Sequence, residues 1–239
     1  MPSGRKNETI GGLKCLTVPC SSSGSAPRGV VIWLHGLGDS PRGWVGAAED
    51  VQSSLGGDVE FVLPCAPRNA VTCNFGAKMT SWMDIIEIPI HPESPDNGKD
   101  ASESLAALES VIDYKMKEHG LGADKIILGG FSQGAALSVA AALKFSQKLC
   151  AAFCLSGWAL PKQQIYASAA TSCNRDTPLL VCHGQDDNVV TFRCGQALRD
   201  GLRASGVSKL TFRSYEDLAH GWCAQEKLDL ISFLVDALA

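Results

Sequence analysis

"ILGGFSQGAALSVAAAL", Ile127 to Leu143, decides the fold. Its first half is a short apolar run closed by glycine, the pattern of a strand buried on both faces, and its second half is alanine-rich with helical periodicity. Between them stands one hydroxyl, Ser132, inside the pentapeptide Gly130-Phe131-Ser132-Gln133-Gly134. A Gly-x-Ser-x-Gly at a strand-to-helix junction is the nucleophile elbow, where the chain turns too sharply for side chains at the flanking positions. About one chain in five of this glycine and serine content carries the pentapeptide by accident, so the flanking strand and helix carry the argument. Ala135, Ala136, Ala140 and Ala141 let the helix sit close to the sheet and aim its positive end at Ser132. The plain alternative is a serine that only caps the helix.

Working outward, GVVIWLHG (29–36), VEFVLPCAP (59–67), KIILGGF (125–131), AAFCLSG (151–157) and LLVCHG (179–184) are further apolar runs closed by Gly or Pro. Helical periodicity falls between them, at about 43–54, 101–118, 133–145 and 192–204, and again at 225–239, where Leu228, Ile231, Leu234, Val235 and Leu238 are expected on one face. Strand and helix alternate along the whole chain, which predicts an α/β fold with a mostly parallel central sheet and helices on both faces. GLKCLTV (12–18) reads as an added edge strand, possible in antiparallel pairing, and residues 1–28 as that strand with its loop. SSSGS (21–25) is too short to separate domains, and HPESPDNGKD (91–100) reads as a surface loop, so residues 1–239 are expected to form one domain.

A hydrophobic share of 45%, a charged share of 19% and a net charge of -4 fit a globular chain without the basic footprint of a nucleic-acid binder. MPSGRKNETIGG has no apolar stretch behind its basic residues and does not read as a secretory signal. The ten cysteines are scattered without metal-ligand spacing, which points to a reducing, cytoplasmic setting and to no metal site. The chemistry at a serine elbow calls for no cofactor.

A serine hydroxyl needs a base within hydrogen-bond reach and a third group to fix that base. In this fold the order along the chain is serine, acid, histidine. Only His183 and His220 follow Ser132, and His183 precedes the acids Asp186 and Asp187, which leaves His220, in SYEDLAHGWC, as the base. Asp187 is preferred as the acid, although spacing does not separate the two neighbours. An oxyanion hole needs two backbone N–H donors, which Gln133 after the nucleophile and Leu37 in HGLGDS (35–40) are placed to supply.

WLHGLGDSPRGW, APRNAVTCNFGAKMTSWMDI, IILGGFSQGAALS, LSGWALP, CHGQDDNVV and YEDLAHGWC together resemble the acyl-protein thioesterase and small carboxylesterase (lysophospholipase-like) family of α/β hydrolases, from about Gly29 onward. The resemblance implies Ser132, Asp187 and His220 as a triad, the later acid of the short loop being the family's. It implies the Leu37 and Gln133 amides for the oxyanion, and an acyl groove beside Val71–Trp82 within a lid-like loop at 71–90. Phe75, Met79, Trp82 and Trp158 are the expected substrate-binding residues, with Met83, Ile85 and Ile86 adding apolar surface.

The implied substrates are S-acylated proteins, or lipid and small esters, met with transient contact at a membrane surface by a monomer or weak homodimer. Animal members carry a palmitoylated cysteine after the initiator methionine, where this chain has Pro2, and VTCNFGAKM and HGQDDNVV also depart from them. A reading from another class is a small-molecule receptor of the same fold that binds without turnover.

Overall fold

A computed structural model describes residues 4–21, 26–95, 101–160 and 162–239, so Pro2 and most of SSSGS lie outside the described residues, as do 96–100 of the polar loop. Strands β1 (Lys6–Ile10), β2 (Leu13–Val18), β3 (Gly29–Leu34), β4 (Val59–Pro64), β7 (Ile126–Phe131), β8 (Ala151–Leu155), β9 (Leu179–Gly184) and β10 (Leu210–Tyr215) form one sheet in the order β1-β2-β4-β3-β7-β8-β9-β10. The six strands from β4 to β10 in that order pair in parallel, and β2 joins β4 antiparallel. Strands β5 (Arg68–Val71) and β6 (Ala77–Thr80) form a separate antiparallel hairpin.

The apolar runs become strands because both of their faces are covered. Helices α2 (Ala101–His119), α3 (Gln133–Lys144), α4 (Lys162–Thr171) and α5 (Phe192–Ala204) pack on one face. Helices α1 (Pro41–Ser54) and α6 (Ala224–Leu238) pack on the other. Each large aliphatic side chain buried this way contributes roughly 1.5–3 kcal/mol. Among the described residues no helix is long and apolar enough to cross a membrane.

Three expectations change. GLKCLTV is not the edge, because β1 pairs outside it, Lys6 opposite Thr17 and Ile10 opposite Leu13. The KNETI strand takes the solvated position, which its polar residues tolerate. Helix α6 turns Glu226, Leu230, Leu234 and Leu238 inward at four-residue steps and leaves Leu228 and Val235 exposed, so the expected face is rotated. The segment 71–90 is two structures: an exposed hairpin as far as Thr80, then a strap in which Ser81, Trp82, Met83 and Ile85 are buried.

The strand order reverses beside β3, whose sequence successor β4 lies on one side while β7 lies on the other. Ligands of open α/β sheets bind outside the carboxyl ends of the strands at such a point. Leu34 pairs with Gly130, so the loop after β3 and the turn after β7 emerge side by side.

Candidate active site

Ser132 follows β7 with φ 56° and ψ -120°, a backbone that non-glycine residues rarely adopt and that costs about 1–3 kcal/mol. Its neighbours hold it there: its N–H donates to the Leu155 carbonyl at 2.8 Å, and its carbonyl accepts the Ala136 N–H at 3.1 Å. The flanking glycines are steric necessities. A Cβ at Gly130 would lie 2.6 Å from the Leu34 carbonyl oxygen, and one at Gly134 would lie 2.5 Å from that oxygen and 2.6 Å from the His35 carbonyl. The hydroxyl makes no helix-capping bond.

It meets His220 instead. Ser132 Oγ lies 2.9 Å from His220 Nε2, and His220 Nδ1 lies 2.7 Å from Asp187 Oδ2. An ionised carboxylate only accepts, so Nδ1 carries the proton donated to Asp187, and Nε2 is the acceptor for the serine O–H. Asp187 Oδ1 accepts the N–H groups of Val189 and Val190, each at 2.9 Å. Burial by itself pushes the Asp187 carboxyl up, but hydrogen bonds from His183 and His220, the charge of His220 and the Val189 amide hold it well below the ordinary carboxylate range. Asp186 is exposed one residue away. His183 is fully buried and donates from Nε2 to the Val190 carbonyl at 2.8 Å, 3.4 Å from Asp187 Oδ2, so it steadies the acid's loop.

Phe131, which the sequence reading passed over, stacks on the His220 ring at 4.7 Å between centroids and on Trp44 at 5.0 Å. Its place next to the serine and its aromatic type were the available signal.

The loop after β3 is organised by His35. Its Nδ1 lies 2.7 Å from the Gly36 carbonyl and its Nε2 accepts the Ala66 N–H at 3.0 Å, an arrangement that requires neutral imidazole. Burial drives its pKa down, consistent with that role. Leu37 is half-buried in this loop, and Gln133 stands at the first turn of α3, where helical N–H groups lack internal partners. The Gln133 side chain is committed elsewhere: Oε1 accepts the Trp82 N–H at 2.9 Å, while Nε2 donates to the Met83 carbonyl at 2.7 Å and to Ser81 Oγ at 3.0 Å. It ties α3 to the strap.

The four expected substrate-binding residues differ widely in exposure. Phe75 is fully exposed at the hairpin tip, and Met79 is half-buried with its sulfur 3.1 Å from Asn74 Nδ2. Trp82 is only 1% exposed and donates from Nε1 to the His35 carbonyl at 2.8 Å, which ties it to the loop after β3. Trp158 is buried and lines a cavity of about 20 Å³ with Met83, Ile85, Ile86 and Leu160, room for about one water. Glu60, Glu118 and His119 have ligand atoms close enough for a metal, but Lys115 Nζ stands 2.9 Å from Glu60 and 2.7 Å from Glu118, so an ammonium already fills the cation's part.

A parallel sheet with a strained serine after a central strand and a histidine bridging it to a buried acid defines the α/β-hydrolase class. The model of the phospholipase/carboxylesterase family matches residues 16–237, and the chain belongs to that family of hydrolases. It is 37% identical over 203 residues to "Acyl-protein thioesterase 1 homolog 1" of Dictyostelium discoideum, covering 84% of this chain and 87% of the relative. It is 35% identical over 193 residues to "Carboxylesterase SOBER1" of Arabidopsis thaliana, covering 81% and 83%. The crystal structure of Arabidopsis thaliana SOBER1 superposes with a TM-score of 0.80 at 32% identity, over 88% of this chain and 99% of that one. Zea mays acyl-protein thioesterase 2 gives 0.71 at 26%, over 94% and 99%.

Proposed function

We propose that this chain is one α/β-hydrolase domain that cleaves S-acyl thioesters of the palmitoyl type on proteins, using Ser132, His220 and Asp187. The reading rests on one observation, the imidazole of His220 within hydrogen-bond reach of both Ser132 Oγ and Asp187 Oδ2. His220 Nε2 takes the hydroxyl proton as Ser132 Oγ attacks the carbonyl carbon. Asp187 stabilises the imidazolium, and the Leu37 and Gln133 amides hold the tetrahedral oxyanion. Collapse breaks the carbon–sulfur bond, the departing sulfur takes the proton from His220 to leave as the thiol, and an acyl-serine with a neutral imidazole remains. Water, deprotonated by His220, then adds to that ester and releases the fatty acid and Ser132. Thiols have pKa about 8.5, so the leaving group needs little protonation. The relatives named as acyl-protein thioesterases favour this substrate class. The exposed Phe75 suits brief contact with a lipid surface on which such proteins lie.

A second reading, a carboxylesterase acting on small esters, draws on the small cavity beside Trp158, whose volume of about 20 Å³ leaves little room for a long chain unless the strap yields. Turnover of an S-palmitoylated peptide against a short aryl ester, each with a Ser132→Ala control, decides between them. Faster turnover of the thioester peptide is expected, and turnover confined to the aryl ester would replace the first reading by the second. Persistence of either activity in Ser132→Ala would remove the proposed site altogether.

A further inference from the structure

The loop after β3 is gripped from both ends of the β5–β6 hairpin. At the leading end the Ala66 N–H bonds His35 Nε2. At the trailing end Thr80 makes two bonds: its carbonyl accepts the Gly38 N–H at 2.8 Å, and its hydroxyl donates to the Asp39 carbonyl at 2.6 Å. Two residues later Trp82 Nε1 holds the His35 carbonyl. Leu37 therefore sits between residues fixed on either side.

The Gly36 carbonyl is fixed as well, by His35 Nδ1 at 2.7 Å and by the Asp39 N–H at 3.3 Å. In a trans peptide the N–H points opposite the carbonyl of the same unit, so whatever fixes Gly36 O aims the Leu37 N–H. Gly38, at φ 75°, supplies the left-handed turn that lets its own N–H face Thr80.

We propose that Thr80 is a positioning residue for the oxyanion hole: its paired bonds to Gly38 and Asp39 hold the Leu37 peptide in register and make the exposed hairpin and the hole one mechanical unit. This rests on the reading of Leu37 as an oxyanion donor. Thr80 is half-buried and its hydrogen bonds go to Asp39 and Gly38, so its effect is felt through the loop. Misplacing a donor by a fraction of an ångström weakens the bond to the tetrahedral oxygen more than any bond to the flat ground-state carbonyl, so the loss falls on kcat. A hairpin displaced by a bound surface or acylated peptide would act on the rate through the same two bonds.

The test compares Thr80→Val, which keeps the volume and removes the hydroxyl, with Thr80→Ser, which keeps the hydroxyl, on p-nitrophenyl acetate. We expect Thr80→Val to lose about 10-fold in kcat with KM within about twofold, and Thr80→Ser to recover most of the loss. A trifluoromethyl ketone, which adds to Ser132 as a tetrahedral oxyanion, should bind Thr80→Val about 10-fold more weakly. Unchanged kcat, a loss confined to KM, or a serine variant as poor as the valine variant would each overturn the proposal. So would a Thr80→Val protein melting more than about 10 °C below wild type, which would make the role structural. Failure of the underlying site reading looks different: wild type would then escape fluorophosphonate labelling, or Ser132→Ala would retain turnover.

Discussion

Ser132 and Phe75 share a positive φ, 56° and 55°, at two sharp reversals of the chain, but ψ is -120° at Ser132 against 32° at Phe75, a plain left-handed turn, and their surroundings differ as well. Ser132 is locked between Leu155 and Ala136, with backbone oxygens of Leu34 and His35 crowding the flanking glycines. Phe75 stands clear of the protein, held by turn bonds from its own N–H to the Thr72 carbonyl at 3.0 Å and from the Gly76 N–H to the Val71 carbonyl at 2.9 Å. A strained torsion becomes part of a reaction site only where packing over-determines it. A left-handed turn on an exposed tip displays a side chain to whatever comes near. The elbow therefore bears on rate and folding, whereas the tip bears on which molecule is met.

The largest effect that would break this contrast concerns the acid behind the elbow. Asp187→Asn keeps the shape but removes the charge that fixes the His220 tautomer, and kcat on an aryl ester should fall by about 10^4. A loss under about tenfold, read from steady-state rates, would deny that the buried side sets the chemistry.

Next comes Gly134→Ala. Its Cβ meets backbone rather than a flexible side-chain end, so thermal or denaturant unfolding should show a loss of about 3 kcal/mol, whereas Gly76→Ala at the tip, with open space around it, should cost less. Equal losses at the two glycines would erase the distinction.

Glu226 sharpens the buried side further. Burial pushes its carboxyl up to about 8, with its neighbour Asp229 adding to the rise against an opposing Cys223 amide. A folded-state pKa above the unfolded value of about 4.3 means that folding takes up a proton, so wild-type stability drains as pH rises from about 4.5 to about 8. Glu226→Gln removes that drain, and its stability relative to wild type should grow by roughly 1.4 kcal/mol per pH unit across the window, then level off. A pH-independent difference in urea midpoints would show that this carboxyl is ionised in the fold.

The smallest effect is expected at the tip. Phe75→Ser should leave melting temperature and short-ester kcat/KM within about twofold, while turnover of a palmitoylated peptide on vesicles falls several-fold. A large change on the short ester would place Phe75 in the reaction site.

The same contrast governs what could be read without coordinates. The buried strands announce themselves as apolar runs, and the elbow's glycines and serine order the partners along the chain, so Ser132 and His220 could be named as candidates before their distances were seen, while the preference for Asp187 over Asp186 leaned on the family resemblance, because spacing does not separate neighbours. The KNETI strand, helix α4 and the four-residue strands of the hairpin carry no such signal. RNAV and AKMT are too short and too exposed for alternation to show, and KQQIYASAAT has no strong apolar face. An apolar residue near a site, such as Trp82, reads equally well as lining or as foundation, and its burial and its bond to His35 become visible only in the fold. The commitments of Gln133 and His35 are tertiary contacts between segments far apart in sequence, which no local pattern reports.

The central claim is that the imidazole of His220 makes Ser132 a nucleophile, and covalent labelling reads this most directly. Wild-type protein treated with a fluorophosphonate should gain one adduct by intact mass, mapped by peptide sequencing to Ser132, absent in Ser132→Ala and formed at least about 100-fold more slowly in His220→Gln. An adduct on another residue, or labelling of His220→Gln at the wild-type rate, would contradict the account.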